Sequence, residues 1–216
     1  VVIGGGVVGV STLYHLTRKG WSDVVLLERT ELTAGSTWHA AGLLPLFNMS
    51  YTVGQLHKYS VDLYKRLPAE TGQDVSFHVT GNLRLATCRD RMDEYRKYCG
   101  TANTIGVPFQ LISPAEVKEL WPLVNLGGDA DTPAVIGALY HPDDGHIAPA
   151  DLTMALRRAA RSAGAEINEQ TEVTGAVQMP SGEWKLLTTR RESRAERVEL
   201  WTGNYARRTG RLFGPK

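Results

Sequence analysis

The chain opens on an apolar run, Val1-Val2-Ile3, which gives way to three glycines and then to apolar residues at helical spacing. A short apolar run bounded by glycine suits a buried strand. Leu13, Leu16 and Thr17 fall on one helix face, and Gly20 ends that helix. Residues 23–28, DVVLLE, form a second apolar run closing on an acid, the texture of a parallel strand buried on both faces. Strand, helix and strand make a βαβ unit at the start of the chain.

Further along the pattern changes. Val53, Leu56, Tyr59, Leu63 and Leu67 recur every three or four residues and predict a helix over 51–67. VSFHVTGNLRLAT, residues 75–87, alternates in places and carries a Gly-Asn step, so it predicts a strand or a hairpin. Residues 90–104 are charged and helical in pattern. Ser113-Pro114-Ala115-Glu116 reads as an N-cap, a proline at the first helical position and an acid three after the cap, opening a short helix that ends near Trp121-Pro122. Residues 136–149 predict a strand running into a turn-rich loop. An amphipathic helix over Asp151–Gly164 follows, then short strands at 166–168, 173–178 and 184–189, a last strand at 197–201 and a last helix at 205–212. The ends have α/β character and the middle does not. The organisation expected is a nucleotide-binding domain in two pieces, 1–75 and 149–216, interrupted by an inserted α+β segment, 76–148.

Composition adds exclusions. A formal net charge of +1 over 216 residues gives no global field for nucleic acid or an anionic membrane. Residues 183–216 hold nine Lys or Arg against four Glu, which reads as a solvated strand-and-helix surface. The two cysteines, Cys88 and Cys99, form neither a disulfide framework nor a metal-ligand cluster, so no metal is expected, and a cytosolic or mitochondrial-matrix setting fits. No apolar run approaches the ~20 residues of a membrane span. With no initiator Met, Val1 already inside a strand pattern, and Gly214-Pro215-Lys216 following directly on a helical pattern, the chain is expected to be a fragment whose targeting region lies outside it.

Gly4-Gly5-Gly6-Val7-Val8-Gly9 fits G-x-G-x-x-G between a strand and a helix. The first glycine permits the tight turn, the second lets backbone approach a pyrophosphate, and the third lets helix and strand pack closely. Phosphate then faces the unpaired N–H groups and positive dipole end of the helix. Glu28 closes the second strand, where a carboxylate accepts hydrogen bonds from a ribose 2′-hydroxyl and repels a 2′-phosphate, which disfavours NADP. NAD and FAD both remain open on the loop alone.

With the loop, Glu28-Arg29 and then LTAGSTWHAAG (32–42) in order, the chain resembles the dimethylglycine and sarcosine dehydrogenases, flavoenzymes of the D-amino-acid-oxidase fold group. The likeness continues through LHKYSVDLYKRLPAETGQ, FHVTGNLRLAT, ISPAEVKELWPLVN and LYHPDDGHIAPADLTMAL. The fold it implies is a Rossmann-type FAD-binding domain interrupted by a substrate domain. It implies that His39, in the Trp38-His39 pair, carries FAD covalently through the flavin 8α-methyl. A neutral imidazole is a competent nucleophile for that position. Ala40, Ala41, Gly42 and the adjoining Leu43 would lie along the ring system, and Ser36 and Thr37 would offer donors to the pyrophosphate. Val173 would bring backbone to the adenine, and the late motif Thr202-Gly203-Asn204-Tyr205-Ala206 would approach the flavin again. One departure is Trp201, where the fold group has a small residue; it predicts crowding near Gly203. His146 and His57 are candidates to face flavin or substrate, and a loop-anchoring role fits either equally. Arg84 is a candidate carboxylate clamp, with a plain surface arginine the simpler reading.

The resemblance implies oxidation of a small N-methylated amino acid. Hydride passes from the N-methyl carbon to flavin N5, and the iminium is hydrolysed or captured by a folate bound outside this chain. Electron-transfer flavoprotein or oxygen would be the acceptor. Three alternatives stay open: an oxidase of another secondary amine, a regulatory relative that keeps the fold without catalysis, and an NAD-binding module.

Overall fold

A computed structural model of the chain describes residues 1–214, and by contacts these form two compact units. The first unit comprises residues 1–42, 66–76 and those from Ala148 on; the second comprises 43–65 and 77–147. Residues 43–65 thus pack in the second unit, whereas the boundaries read from sequence place them with the first segment.

The first unit is built on a four-stranded parallel sheet in the order Glu199–Leu200, Val2–Ile3, Val25–Leu27, Glu166–Asn168. Val2 and Ile3 sit centrally and are buried on both faces, which is why the opening run is continuously apolar. The helices Val7–Arg18 and Pro149–Ser162 pack together, burying Val10, Leu13 and Tyr14 on one and Leu152, Ala155, Leu156 and Ala160 on the other. Tyr14 therefore takes the place on the inner face expected of Leu16 and Thr17, which are only half-buried. A small antiparallel sheet follows: Val173–Gln178, Trp184–Thr188 and Glu192–Ala195. Its third strand lies inside the basic stretch, where alternating charges hid it from the apolar pattern. The last strand is cut to Glu199–Leu200, and the last helix to Ala206–Gly210 between two 3₁₀ turns.

Two antiparallel sheets of three strands make the second unit. One orders Asn82–Ala86, Gly137–His141, Gln110–Ile112; the other Leu43–Leu44, Gly145–His146, His78–Val79. Residues 75–87 are consequently not a hairpin, because their two strands join different sheets. The amides of Thr80 and Gly81 both donate to the Asp144 carbonyl, at 3.1 and 2.8 Å, and so turn the chain from one sheet to the next. The helix Arg89–Ile105 buries Tyr95, Tyr98 and Ala102. The helix Pro114–Leu120 carries the expected capping box: Glu116 N–H donates to Ser113 Oγ, and Ser113 N–H donates to the Glu116 carboxylate.

The helix Tyr51–Thr71 corrects the sequence reading of its face. Gly54, Val61, Leu63 and Leu67 are buried, while Leu56 and Tyr59 are 62% and 51% exposed. Gly54 sets this rotation: a Cβ there would stand 2.5 Å from Ile105 Cδ1, so the helix comes closest along the glycine rather than along the larger apolar residues.

Candidate functional site

Between strand and helix the glycine loop turns at Gly4, whose φ of +117° is open to glycine and strained for other residues. A Cβ on Gly4 would also meet the Trp201 carbonyl oxygen at 2.4 Å. Strand Val2–Ile3, strand Glu199–Leu200 and the loop therefore converge at one point.

Two loop amides donate to side chains. Gly5 N–H donates to Glu28 Oε2 at 2.7 Å, and Val7 N–H donates to Thr37 Oγ1 at 2.9 Å. Thr37 thus seats the GSTWHAAG stretch on the helix N-terminus, and its hydroxyl hydrogen stays available to a ligand. The other Glu28 oxygen accepts from the Thr30 amide and hydroxyl, at 2.9 and 3.1 Å. A carboxylate has about four lone-pair positions, so Glu28 braces the loop and retains capacity for a ribose hydroxyl.

Around this loop the first unit encloses a cavity of about 640 Å³. Gly4, Gly5, Gly6, Val7, Val8, Glu28, Arg29, Ser36, Thr37, Ala40, Val173, Thr202 and Gly203 all line it, each a residue singled out from sequence. Gly9 lies beneath the loop and supports it. Trp38, His39, Gly42 and Leu43 are outside the lining. Trp38 is 70% exposed, and the exposed His39 ring bonds through Nδ1 to the Gly35 carbonyl at 3.0 Å. The crowding expected from Trp201 is not found at Gly203, where a Cβ would meet nothing within 4 Å.

Asn204 and Tyr205, which belong to the late motif expected to approach the flavin, border the cavity too, and the Arg29 guanidinium lies 4.0 Å above the Tyr205 ring. Sequence reasoning missed Thr30 and Thr171, and nearness to Glu28 and to Val173 was the signal that could have found them. The cavity suits a dinucleotide in chemistry as well as size. Its glycine loop approaches from one side, and Thr202 Oγ1 is buried there without a hydrogen-bond partner.

The remaining candidates belong to the second unit. His146 is exposed in the strand Gly145–His146, its ring 5.1 Å from that of His78, a neighbour the sequence did not suggest. His57 is half-buried with Nδ1 unpartnered. The surface reading of Arg84 is overturned: its Nε is buried without a partner and its guanidinium lies 4.2 Å over the Phe47 ring. Also missed was a buried pair, His141 and Asp144, at 2.6 Å. Its His-x-x-Asp spacing within YHPDDGHI was the available signal. Among the described residues no helix is long and apolar enough to cross a membrane, and no group of three or more His, Cys, Asp or Glu is arranged to hold a metal.

The model of the DAO family, FAD dependent oxidoreductases, matches residues 1–216. The chain belongs to this family. It is 43% identical over 99% of its length to mitochondrial dimethylglycine dehydrogenase of Rattus norvegicus, and 42% identical over 81% to mitochondrial sarcosine dehydrogenase of Homo sapiens. It spans only 24% and 18% of those two relatives. Among solved structures, L-proline dehydrogenase from P. horikoshii superposes with a TM-score of 0.89 at 30% identity, covering 100% of this chain and 55% of that one. Membership in an FAD-dependent family resolves in favour of FAD the choice that the loop left open.

Proposed function

We propose that this chain is the cofactor-binding part of an enzyme that oxidises a small N-methylated amino acid. The observation that carries this reading is the likeness to dimethylglycine dehydrogenase, 43% identity across 99% of the chain. The inserted segment 76–148 would belong to the substrate domain.

Gly4, Gly6 and the helix start would receive the pyrophosphate, with Ser36 and Thr37 donating to it. Glu28 would hold the ribose beside Arg29, the Val173 backbone would meet the adenine, and Thr202-Gly203 would meet the flavin side. The chemistry that bound FAD supplies is two-electron oxidation, hydride leaving the substrate's N-methyl carbon for N5. The iminium product would be hydrolysed or passed to tetrahydrofolate held outside this chain. Electrons would leave to an electron-transfer flavoprotein or oxygen. A mitochondrial setting follows from the likeness to these two mitochondrial enzymes.

His39 is the proposed attachment residue. Donation from Nδ1–H to the Gly35 carbonyl leaves the Nε2 lone pair as the nucleophile, in an exposed stretch flanked by small residues. Attachment forms one C–N bond and breaks one C–H and one N–H bond; two protons are released and two electrons pass to the acceptor. Acid precipitation of the full-length protein tests this: a yellow pellet is expected, and a colourless pellet with all flavin in the supernatant overturns it. For the substrate, anaerobic titration with dimethylglycine and sarcosine should bleach the flavin, and no bleaching by either would reject the substrate class.

A further inference from the structure

Most walls of the cavity in the first unit are pinned to its core. Gly4 and Gly5 are buried in the glycine loop, Leu27 at the end of its strand, Thr37 within the GSTWHAAG stretch, and Thr171 and Val173 where the small antiparallel sheet begins. One wall differs. Asn204, Tyr205, Arg208 and Thr209 line the cavity from the stretch Gly203–Gly210, and among the described residues none in that stretch is buried. A segment without buried contacts opens at low free-energy cost.

The chain on either side of this stretch is fixed. Trp201 N–H donates to the Ile3 carbonyl at 2.8 Å, which holds the backbone on the central strand. Leu212 and Phe213 pack on the cluster of Ile3, Leu27, Val173 and Leu186, and Phe213 meets the Trp184 ring edge-on at 5.1 Å. Between these anchors Gly203 has a φ of +53°, in the left-handed region that glycine adopts freely, and a Cβ there would meet nothing within 4 Å. Neither backbone preference nor packing resists rotation at that residue.

Two side-chain contacts join the stretch to other walls. The Arg29 guanidinium lies 4.0 Å above the Tyr205 ring, and Arg208 Nη2 stands 3.7 Å from Glu172 Oε1. All four residues border the cavity. Arg29 follows the strand Val25–Leu27 and Glu172 precedes the strand Val173–Gln178, so the stretch is tied at two separate points. Each tie is weak by type. Tyr205 is 48% exposed, and the side chains of Arg208 and Glu172 are 75% and 42% exposed, so water and salt screen both contacts. Contacts of this strength suit a latch.

We propose that Gly203–Gly210 is a strap that swings on Gly203 to admit FAD and closes over the cavity, latched by Tyr205 on Arg29 and by Arg208 on Glu172. This rests on the reading that the cavity takes FAD. A latch acts on entry and exit alike: weakening it populates the open form in both the free and the occupied protein, so both rates rise and their ratio, the affinity, holds. A residue that only contacts the cofactor behaves differently, because its loss raises the exit rate alone.

Stopped-flow flavin fluorescence on the full-length protein, in a His39→Ala background where flavin exchanges, measures both rates. Tyr205→Ala and Arg208→Ala should each raise FAD association and dissociation by about two- to fivefold, the fold-change expected from one exposed cation–π contact, with the dissociation constant unchanged. Tyr205→Phe keeps the ring beneath the guanidinium and should restore the original rates. Arg207→Ala removes the same charge as Arg208→Ala from a side chain that does not line the cavity, and should leave both rates as they were. A rise confined to dissociation, no change in either rate, or equal effects of Arg207→Ala and Arg208→Ala would overturn the proposal. If FAD does not bind at all, the reading of the cavity fails instead, and amide exchange across Gly203–Gly210 decides the strap: faster exchange in Tyr205→Ala upholds the latch, and unchanged exchange rejects it.

Discussion

Gly9 lies directly under Gly4: a Cβ built on Gly9 would stand 2.0 Å from the Gly4 carbonyl oxygen. The helix can enter this close to the strand only because the side chain is missing. In Gly9→Ala the methyl can be accommodated only by moving the loop, at a cost of about 1–3 kcal/mol, more than the ~1 kcal/mol that alanine gains over glycine in a helix. We expect a lower melting temperature and a lower flavin-to-protein ratio, measured by thermal denaturation and absorbance. Gly100 is the contrast, an exposed helical glycine with nothing within 4 Å of its Cβ position. Gly100→Ala should raise the melting temperature and leave flavin content unchanged.

Glu28 is expected to act on the loop before it acts on the ligand. Glu28→Ala leaves the partly buried Gly5 amide without its acceptor, a loss of about 1–3 kcal/mol, and frees the exposed Thr30 amide to water. Glu28→Gln keeps one accepting oxygen and should fall between alanine and wild type. Fluorescence titration of FAD in a His39→Ala background, where flavin exchanges freely, gives the three affinities. Equal affinities for all three would show that the carboxylate contributes nothing to binding.

The cofactor side of the molecule was legible because its constraints are local. A strand–glycine–helix run fixes which backbone faces a phosphate, and an acid at the end of the next strand fixes where a ribose goes. The cavity-lining residues from Gly4 to Ala40 read from sequence belong to such a run or to the motif that follows it, whereas Val173, Thr202 and Gly203 came from the family resemblance. The His-x-x-Asp spacing of His141 and Asp144 was available, but that Leu46 N–H donates to this buried carboxylate from far along the chain was illegible, because no periodicity records such a pairing. The helix face at Leu56 and Tyr59 failed for a related reason: apolar spacing shows which residues can be buried, whereas Gly54 against Ile105 determines which ones are. Of the strand or hairpin expected over 75–87, the strands form and the hairpin does not, because the amides of Thr80 and Gly81 are taken by the Asp144 carbonyl.

His39→Ala should separate attachment from folding. The side chain is exposed and its ring contact is one hydrogen bond to a backbone carbonyl, so the thermal stability of the apoprotein should change by no more than ~0.5 kcal/mol. Flavin should become extractable by acid while binding persists, because the cavity does not include this residue. A large loss of stability in the apoprotein would mean that His39 serves the fold.

The capping box gives the chain a local acid sensitivity with a definite sign. Hydrogen bonds from the Ser113 backbone and then its side chain hold the Glu116 carboxyl below its usual value of 4.5. A carboxyl depressed in the folded state adds stability that is present above the unfolded value and is lost as pH falls through the folded one. The helix Pro114–Leu120 should therefore weaken as pH drops from about 4.5 downward, when protonated Glu116 no longer accepts from the Ser113 amide. Glu116→Gln carries no such titration, so the difference in melting temperature between wild type and variant should be greatest near neutral pH and shrink below that point. Melting curves taken from neutral pH into this acid range check it, and a difference that stays constant with pH would show that the carboxylate's charge plays no part in the cap.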